Sequence, residues 1–170
     1  MREIYLAGGC YWGVQKYMDS LQGVAETEVG FANGLVEAPS YARVKQGDTG
    51  HAETVRVRYD EETIPLPSLL RLFFRVIDPT SVNRQGHDVG TQYRTGVYWT
   101  DPADAETVRA ELDRLAERTD GPLAIEAMPL KCFYPAEEYH QKYLDKTPGG
   151  YCHVPWEEIR WAAGIDPRLY

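Results

Sequence analysis

Residues 3–34 read EIYLAGGCYWGVQKYMDSLQGVAETEVGFANG, and two changes of pattern within them decide the fold class. Residues 3–7 (EIYLA) are short and rich in strand formers, and Gly8-Gly9 stops them. From Cys10 to about Leu21 the apolar positions Trp12, Val14, Tyr17, Met18 and Leu21 recur at helical spacing. Val24 to Phe31 then reads as a strand closed by the turn pair Asn33-Gly34. Beyond a loop around Pro39, Glu53 to Asp60 alternates with Val55, Val57 and Tyr59 on one face. Pro67 to Ile77 has helical spacing, with Leu69, Leu70, Phe73, Phe74 and Ile77 inward, and Asp78-Pro79 ends it.

The fifteen residues Thr80 to Arg94 are polar and follow neither period, and loops of this kind are often functional. Thr95 to Thr100 is a predicted strand. Asp101-Pro102 opens a predicted helix to about Thr119, with Val108, Leu112 and Leu115 inward. A strand over Leu123 to Leu130 and a short polar helix over Ala136 to Lys146 follow, and Thr147-Pro148-Gly149-Gly150 releases the chain into a tail. The order β-α-β-β-α-loop-β-α-β predicts an α+β fold: a ferredoxin-like split βαβ two-layer sandwich with an antiparallel or mixed sheet and long loops. At 170 residues the expectation is one domain, 1–170, with 147–170 a C-terminal tail carrying Cys152.

Composition narrows the function classes. Apolar residues are 43% and charged residues 26%, ordinary globular usage that excludes wholesale disorder. The 18 Lys and Arg against 26 Asp and Glu give a net charge of −8, the wrong sign for nucleic acid or an anionic membrane surface. Three cysteines do not make a disulfide framework. No apolar run approaches the ~18 residues of a membrane span. LAGGC at 6–10 lacks the apolar region that a lipoprotein signal needs before Cys10. A cytoplasmic monomer is the expectation.

Cys10 follows a strand and two glycines and opens a helix. Unpaired backbone N–H groups and the positive end of a dipole would lower its pKa and make it a nucleophile; a buried core cysteine behind a tight turn is the alternative. Tyr11 and Trp12 occupy successive helix positions that do not share a face, so one at least is expected to edge the Cys10 site, with core packing of both as the alternative. Glu53, at the mouth of the alternating strand in Gly50-His51-Ala52-Glu53, is either a salt-bridged surface carboxylate or a buried proton donor. Cys152-His153 lacks paired metal-ligand spacing, so no metal is expected. A thiol after Pro148-Gly149-Gly150 suits a mobile resolving cysteine. Cys132, beside an apolar strand, reads as core.

Gly8-Gly9-Cys10-Tyr11-Trp12-Gly13 resembles the active-site motif of A-type peptide-methionine sulfoxide reductases. So do Gly50-His51-Ala52-Glu53, Asn83-Arg84-Gln85-Gly86 with Asp88-Val89-Gly90-Thr91-Gln92-Tyr93-Arg94, Phe133 to Gln141, and Gly149-Gly150-Tyr151-Cys152. The resemblance implies Cys10 as nucleophile, Glu53 as acid and Cys152 as the resolving thiol. It places Tyr41 and Tyr93 at the sulfoxide oxygen, Asp88 in substrate and water placement, and Tyr11 and Trp12 around the S-methyl group. It also implies preference for the S epimer of methionine sulfoxide, a thioredoxin-type dithiol as reductant, and no organic cofactor. Tyr11 stands where the family commonly has Phe, and no second recycling cysteine follows Cys152. The rival readings are a cysteine hydrolase pairing Cys10 with His51 or His87 and Asp88, and a binding module in which Cys10 is structural.

Overall fold

The computed structural model describes residues 1–170. The elements are β1 (Arg2–Gly8), α1 (Tyr11–Ser20), β2 (Val24–Ala32), α2 (Tyr41–Lys45), β3 (Ala52–Tyr59), α3 (Leu66–Phe74), β4 (Arg84–Gln85), β5 (Asp88–Val89), β6 (Thr95–Trp99), α4 (Asp104–Glu117), β7 (Ile125–Pro129), β8 (Phe133–Pro135), α5 (Tyr143–Lys146) and α6 (Trp156–Gly164). The result is a mixed α+β fold. Six strands form one sheet in the order β7-β6-β1-β3-β2-β8, and β4 and β5 form a separate two-stranded ribbon. Only β6 and β7 pair in parallel; β1 runs antiparallel to both neighbours, with Leu6 opposite Val55 on β3 and Val97 on β6.

β1 reads as an unbroken apolar run because both of its faces are covered. Ile4 and Leu6 enter the large core under the helices, together with Val55, Val57 and Tyr59 of β3 and Leu69, Leu70 and Phe73 of α3. Tyr5 and Ala7 point the other way, to a small cluster with Ala32, Ala52 and Tyr98. This is the period-2 alternation of a strand. Burying each large apolar side chain contributes roughly 1.5–3 kcal/mol, so the helix-side core fixes the sheet's register and, with it, both ends of β1 and β3.

Buried Gln85 ties the polar run 80–94 to both of its flanks. Gln85 Nε2 donates to the carbonyl of Asp78 and to Thr95 Oγ1, each at 2.9 Å, while its Oε1 accepts the Asp78 N–H at 2.8 Å. These bonds close the loop between the end of α3 and the start of β6.

Several expectations are corrected. α4 starts at Asp104, because Pro102 lies in the preceding turn, where Asp101 accepts the Ala103 N–H at 2.9 Å. Glu111 takes a buried place on that helix through an ion pair with Arg71 at 2.7 Å, and Leu112 is only half-buried. The predicted helix over 136–146 is broken into a short turn at Glu138–His140, a left-handed Lys142 (φ 55°) and α5. Distant side chains hold this backbone: Gln141 bonds both backbone groups of Val29, at 2.9 and 2.8 Å, and Gln15 Oε1 accepts the Lys142 N–H at 2.9 Å. Cys132 is half-buried, not core, since β8 is an edge strand immediately after it. The segment 147–170 is no free tail: α6 buries Ile159 and Ala162 in the main core. No helix is long and apolar enough to cross a membrane.

Candidate active site

β1 delivers Cys10 to the N-terminus of α1. Gly9 takes a left-handed backbone (φ 86°) that an L side chain rarely adopts, and Cys10 caps the helix with only 7% of its surface exposed. The backbone N–H groups of Trp12 and Gly13 favour the thiolate, as the sequence implies, but burial is the larger influence. Desolvation and the nearby Glu53 push the Cys10 thiol well above its ordinary range. The expectation of a lowered pKa is therefore corrected for the free protein.

Glu53 is the second residue of β3 and lies opposite Phe31 of β2. It is 2% exposed and has no salt-bridge partner; its Oε1 accepts the Tyr11 N–H at 3.2 Å. Burial pushes its pKa up to about 8, opposed by that hydrogen bond and raised further by Asp88. At neutral pH it is a neutral carboxylic acid with a proton to give. The surface salt-bridge alternative falls. Two groups that become anionic on losing a proton, buried near one another, each keep the other neutral and titrate together.

Aromatic residues close the site. Tyr41, the first residue of α2, is pushed up to about 12 by burial and by the Glu53 charge, and Tyr93 is raised by the same two causes. Trp12 stacks on Tyr143 at 3.8 Å between ring centroids, and its indole N–H donates to His140 Nδ1 at 3.1 Å. His140 is buried, its pKa is lowered by desolvation, and its ring lies 4.3 Å from Tyr41 and 5.7 Å from Tyr11. Tyr11 is 1% exposed, and its hydroxyl is buried without a hydrogen-bond partner. Asp88 is held from the C-terminal segment by the Tyr151 hydroxyl at 2.8 Å.

Cys152 lies over the first turn of the helix that Cys10 caps: a Cβ added to Gly13 would come within 3.3 Å of its Sγ. The Cys152 thiol is half-buried, donates to the Val154 carbonyl at 3.2 Å and is pushed up by burial; all three cysteines are free. Cys10, Glu53, Tyr41, Tyr93 and Asp88 are close enough for their charges to act on one another, so the fold gathers them from five separate stretches once Cys152 is added. His51 is outside this group. Its Nδ1 accepts the Gly34 N–H at 3.1 Å and its Nε2 lies 2.6 Å from the Val36 carbonyl, so both nitrogens are committed to pinning a loop. His87 is exposed. Neither histidine of the hydrolase reading makes a hydrogen bond to Cys10. His140 and Tyr143 were missed from sequence as members of the aromatic wall, although the density of polar and aromatic types in Phe133–Gln141 was a signal for the first.

A sequence model described as peptide methionine sulfoxide reductase matches residues 2–163. A protein of Lachnoclostridium phytofermentans named peptide methionine sulfoxide reductase MsrA is 55% identical over 153 residues, covering 90% of this chain and 92% of its own length. Among solved structures, reduced Mxr1 from Saccharomyces cerevisiae superposes with a TM-score of 0.86 at 38% identity, covering 91% of each chain. Mxr1 in complex with Trx2 matches at 24% identity with a TM-score of 0.60 over 84% of each chain, a likeness of fold.

Proposed function

The chain belongs to the peptide methionine sulfoxide reductase family, and from that membership we propose a two-cysteine cycle run by Cys10, Glu53 and Cys152. The enzyme reduces methionine sulfoxide to methionine. The observation that carries the assignment of roles is Glu53: a buried carboxyl with a pKa near 8 and no salt-bridge partner, near a cysteine whose thiolate two backbone N–H groups favour. A sulfoxide sulfur accepts a nucleophile only when its oxygen can be protonated, and Glu53 holds that proton at neutral pH. Tyr41 and Tyr93 add hydroxyl donors to the same oxygen, Tyr11 and Trp12 surround the S-methyl group, and Asp88 places substrate and water.

In the first step Cys10 Sγ attacks the sulfoxide sulfur while Glu53 gives its proton to the oxygen. The thiol proton restores Glu53. The net change moves the oxygen to Cys10: thiol plus sulfoxide become sulfenic acid plus methionine, with two electrons passing from Cys10 to the substrate. In the second step Cys152 Sγ bonds to Cys10 Sγ, and the sulfenic hydroxyl leaves as water with the Cys152 proton. A dithiol of the thioredoxin type then reduces the disulfide by exchange; Trx2 is the partner in the Mxr1 complex. The S epimer is the substrate in this reading.

A cytoplasmic, monomeric enzyme belongs to the same proposal, the compartment supported by a count of three cysteines that makes no disulfide framework. So does the finer fold description, a ferredoxin-like split βαβ unit in one 1–170 domain, supported by the order β6-β1-β3-β2 in the middle of the sheet. The test is chiral analysis of racemic methionine sulfoxide left after incubation with enzyme and dithiothreitol. The S epimer should be consumed, and Cys10→Ser should consume neither. Consumption by Cys10→Ser would remove Cys10 from the chemistry.

A further inference from the structure

The segment carrying Cys152 is pinned on both sides of the thiol. On one side Tyr151 donates its hydroxyl to Asp88 Oδ2 at 2.8 Å. On the other, His153 inserts its ring between the end of β1 and the first turn of α1. His153 Nε2 lies 2.9 Å from the Gly8 carbonyl oxygen, so Nε2 carries the proton and donates. Nδ1 is buried with no hydrogen-bond partner. The ring's seat is made of glycines. A Cβ on Gly13 would come within 2.9 Å of His153 Nδ1 and 3.3 Å of Cys152 Sγ, and one on Gly9 would come within 3.3 Å of His153 Nε2. Glycine is unfavourable inside a helix relative to alanine, so Gly13 trades helix stability for this close approach. Burial holds the His153 pKa low against the opposing pull of the Gly8 carbonyl and the Asp88 charge, which keeps the ring neutral.

We infer that His153 is the positioning residue of the resolving step: its ring locks the Cys152 segment over the first turn of α1 and so holds the thiol beside Cys10. The inference rests on the reading of Cys10 as nucleophile and Cys152 as resolving thiol. A disulfide needs the two Cα atoms within ~4.4–6.8 Å. A segment following Gly149-Gly150 without an anchor would have to find that geometry from many conformations, and ordering it opposes the reaction. With the ring seated, the segment is anchored over the first turn of α1 before the sulfenic acid forms. The hydrogen bond from Nε2 to Gly8 O is the part of the anchor that shape alone cannot replace.

The experiment mixes reduced enzyme with one equivalent of methionine sulfoxide without reductant and follows Cys10–Cys152 disulfide formation by quenching and mass spectrometry, with dimedone to trap sulfenic acid. His153→Phe fills the seat but has no donor; it should slow disulfide formation about ten-fold, the worth of a buried hydrogen bond, and leave trappable sulfenic acid. His153→Gln can aim an N–H at Gly8 O and should resolve within about three-fold of the wild-type rate. Gly13→Ala, which favours the helix, presses a Cβ on both the ring and Cys152 Sγ and should give the same slow phase in a chain with an intact His153. Wild-type rates in His153→Phe or in Gly13→Ala, or a His153→Gln rate as slow as that of His153→Phe, would overturn the inference. If the wild-type enzyme forms no Cys10–Cys152 disulfide, the underlying reading of Cys152 fails and the inference falls with it.

Discussion

At the residue scale the proposed chemistry depends on where one proton resides. Glu53 is ordinarily a carboxylate with a pKa near 4.5, but burial on β3 raises it to about 8. Glu53→Gln keeps a hydrogen-bond donor and loses the transferable proton, so the single-turnover rate of methionine formation should fall by about 10²–10⁴. The same residue makes a thermodynamic prediction. Below pH 4.5 both folded and unfolded chains hold the proton; between 4.5 and about 8 only the folded chain does. The folded state then binds more protons, and stability falls with rising pH at up to about 1.4 kcal/mol per unit across that window. The neutral side chain of Gln removes this slope, so Glu53→Gln should gain stability relative to wild type from pH 5 to pH 8 in urea melts. Equal pH slopes in the two proteins would mean that Glu53 titrates normally.

At the element scale the loop between β2 and β3 and the helix α6 carry the structural load around the site. His51 satisfies the Gly34 N–H and the Val36 carbonyl at once. His51→Ala leaves both groups unpaired and should cost about 1–3 kcal/mol in a denaturant melt, yet retain much of the single-turnover activity, because neither nitrogen faces Cys10. An activity as low as that of Cys10→Ser in a chain that is still folded would restore the Cys–His reading. In α6, Ile159 is 6% exposed and part of the main core. Ile159→Ala should destabilise the protein by about 2–5 kcal/mol, whereas removal of a side chain from an undocked tail would cost almost nothing; thermal melts separate the two.

For the whole molecule, the C-terminal segment is folded back onto the N-terminal helix, and the proposed cycle separates the first half-reaction from regeneration. Cys152→Ser leaves Cys10 and Glu53 in place, so a burst of one methionine per enzyme should form without reductant, and the Cys10 sulfenic acid should persist for dimedone. Turnover with thioredoxin should largely disappear; normal turnover would transfer the resolving role to Cys132 or to direct reduction of Cys10. Much of this architecture was legible in the sequence. The periods of residues 3–34 and 53–60 placed β1, α1, β2 and β3 to within a residue or two, because half-buried strands and amphipathic helices write their burial locally. Five short motifs carried the family, and Cys10 and Glu53 stood out as residue types in a reactive setting. The tertiary structure decided what depends on distant neighbours. It broke the helix over 136–146 through Gln141 and Gln15, packed α6 onto the core and set His153 among Gly8, Gly9 and Gly13. It also reversed the expected protonation of Cys10, since a helix N-terminus is visible in the chain but desolvation is not. Periodicity is a property of neighbouring residues, whereas burial and side-chain hydrogen bonding are set by segments a hundred residues apart.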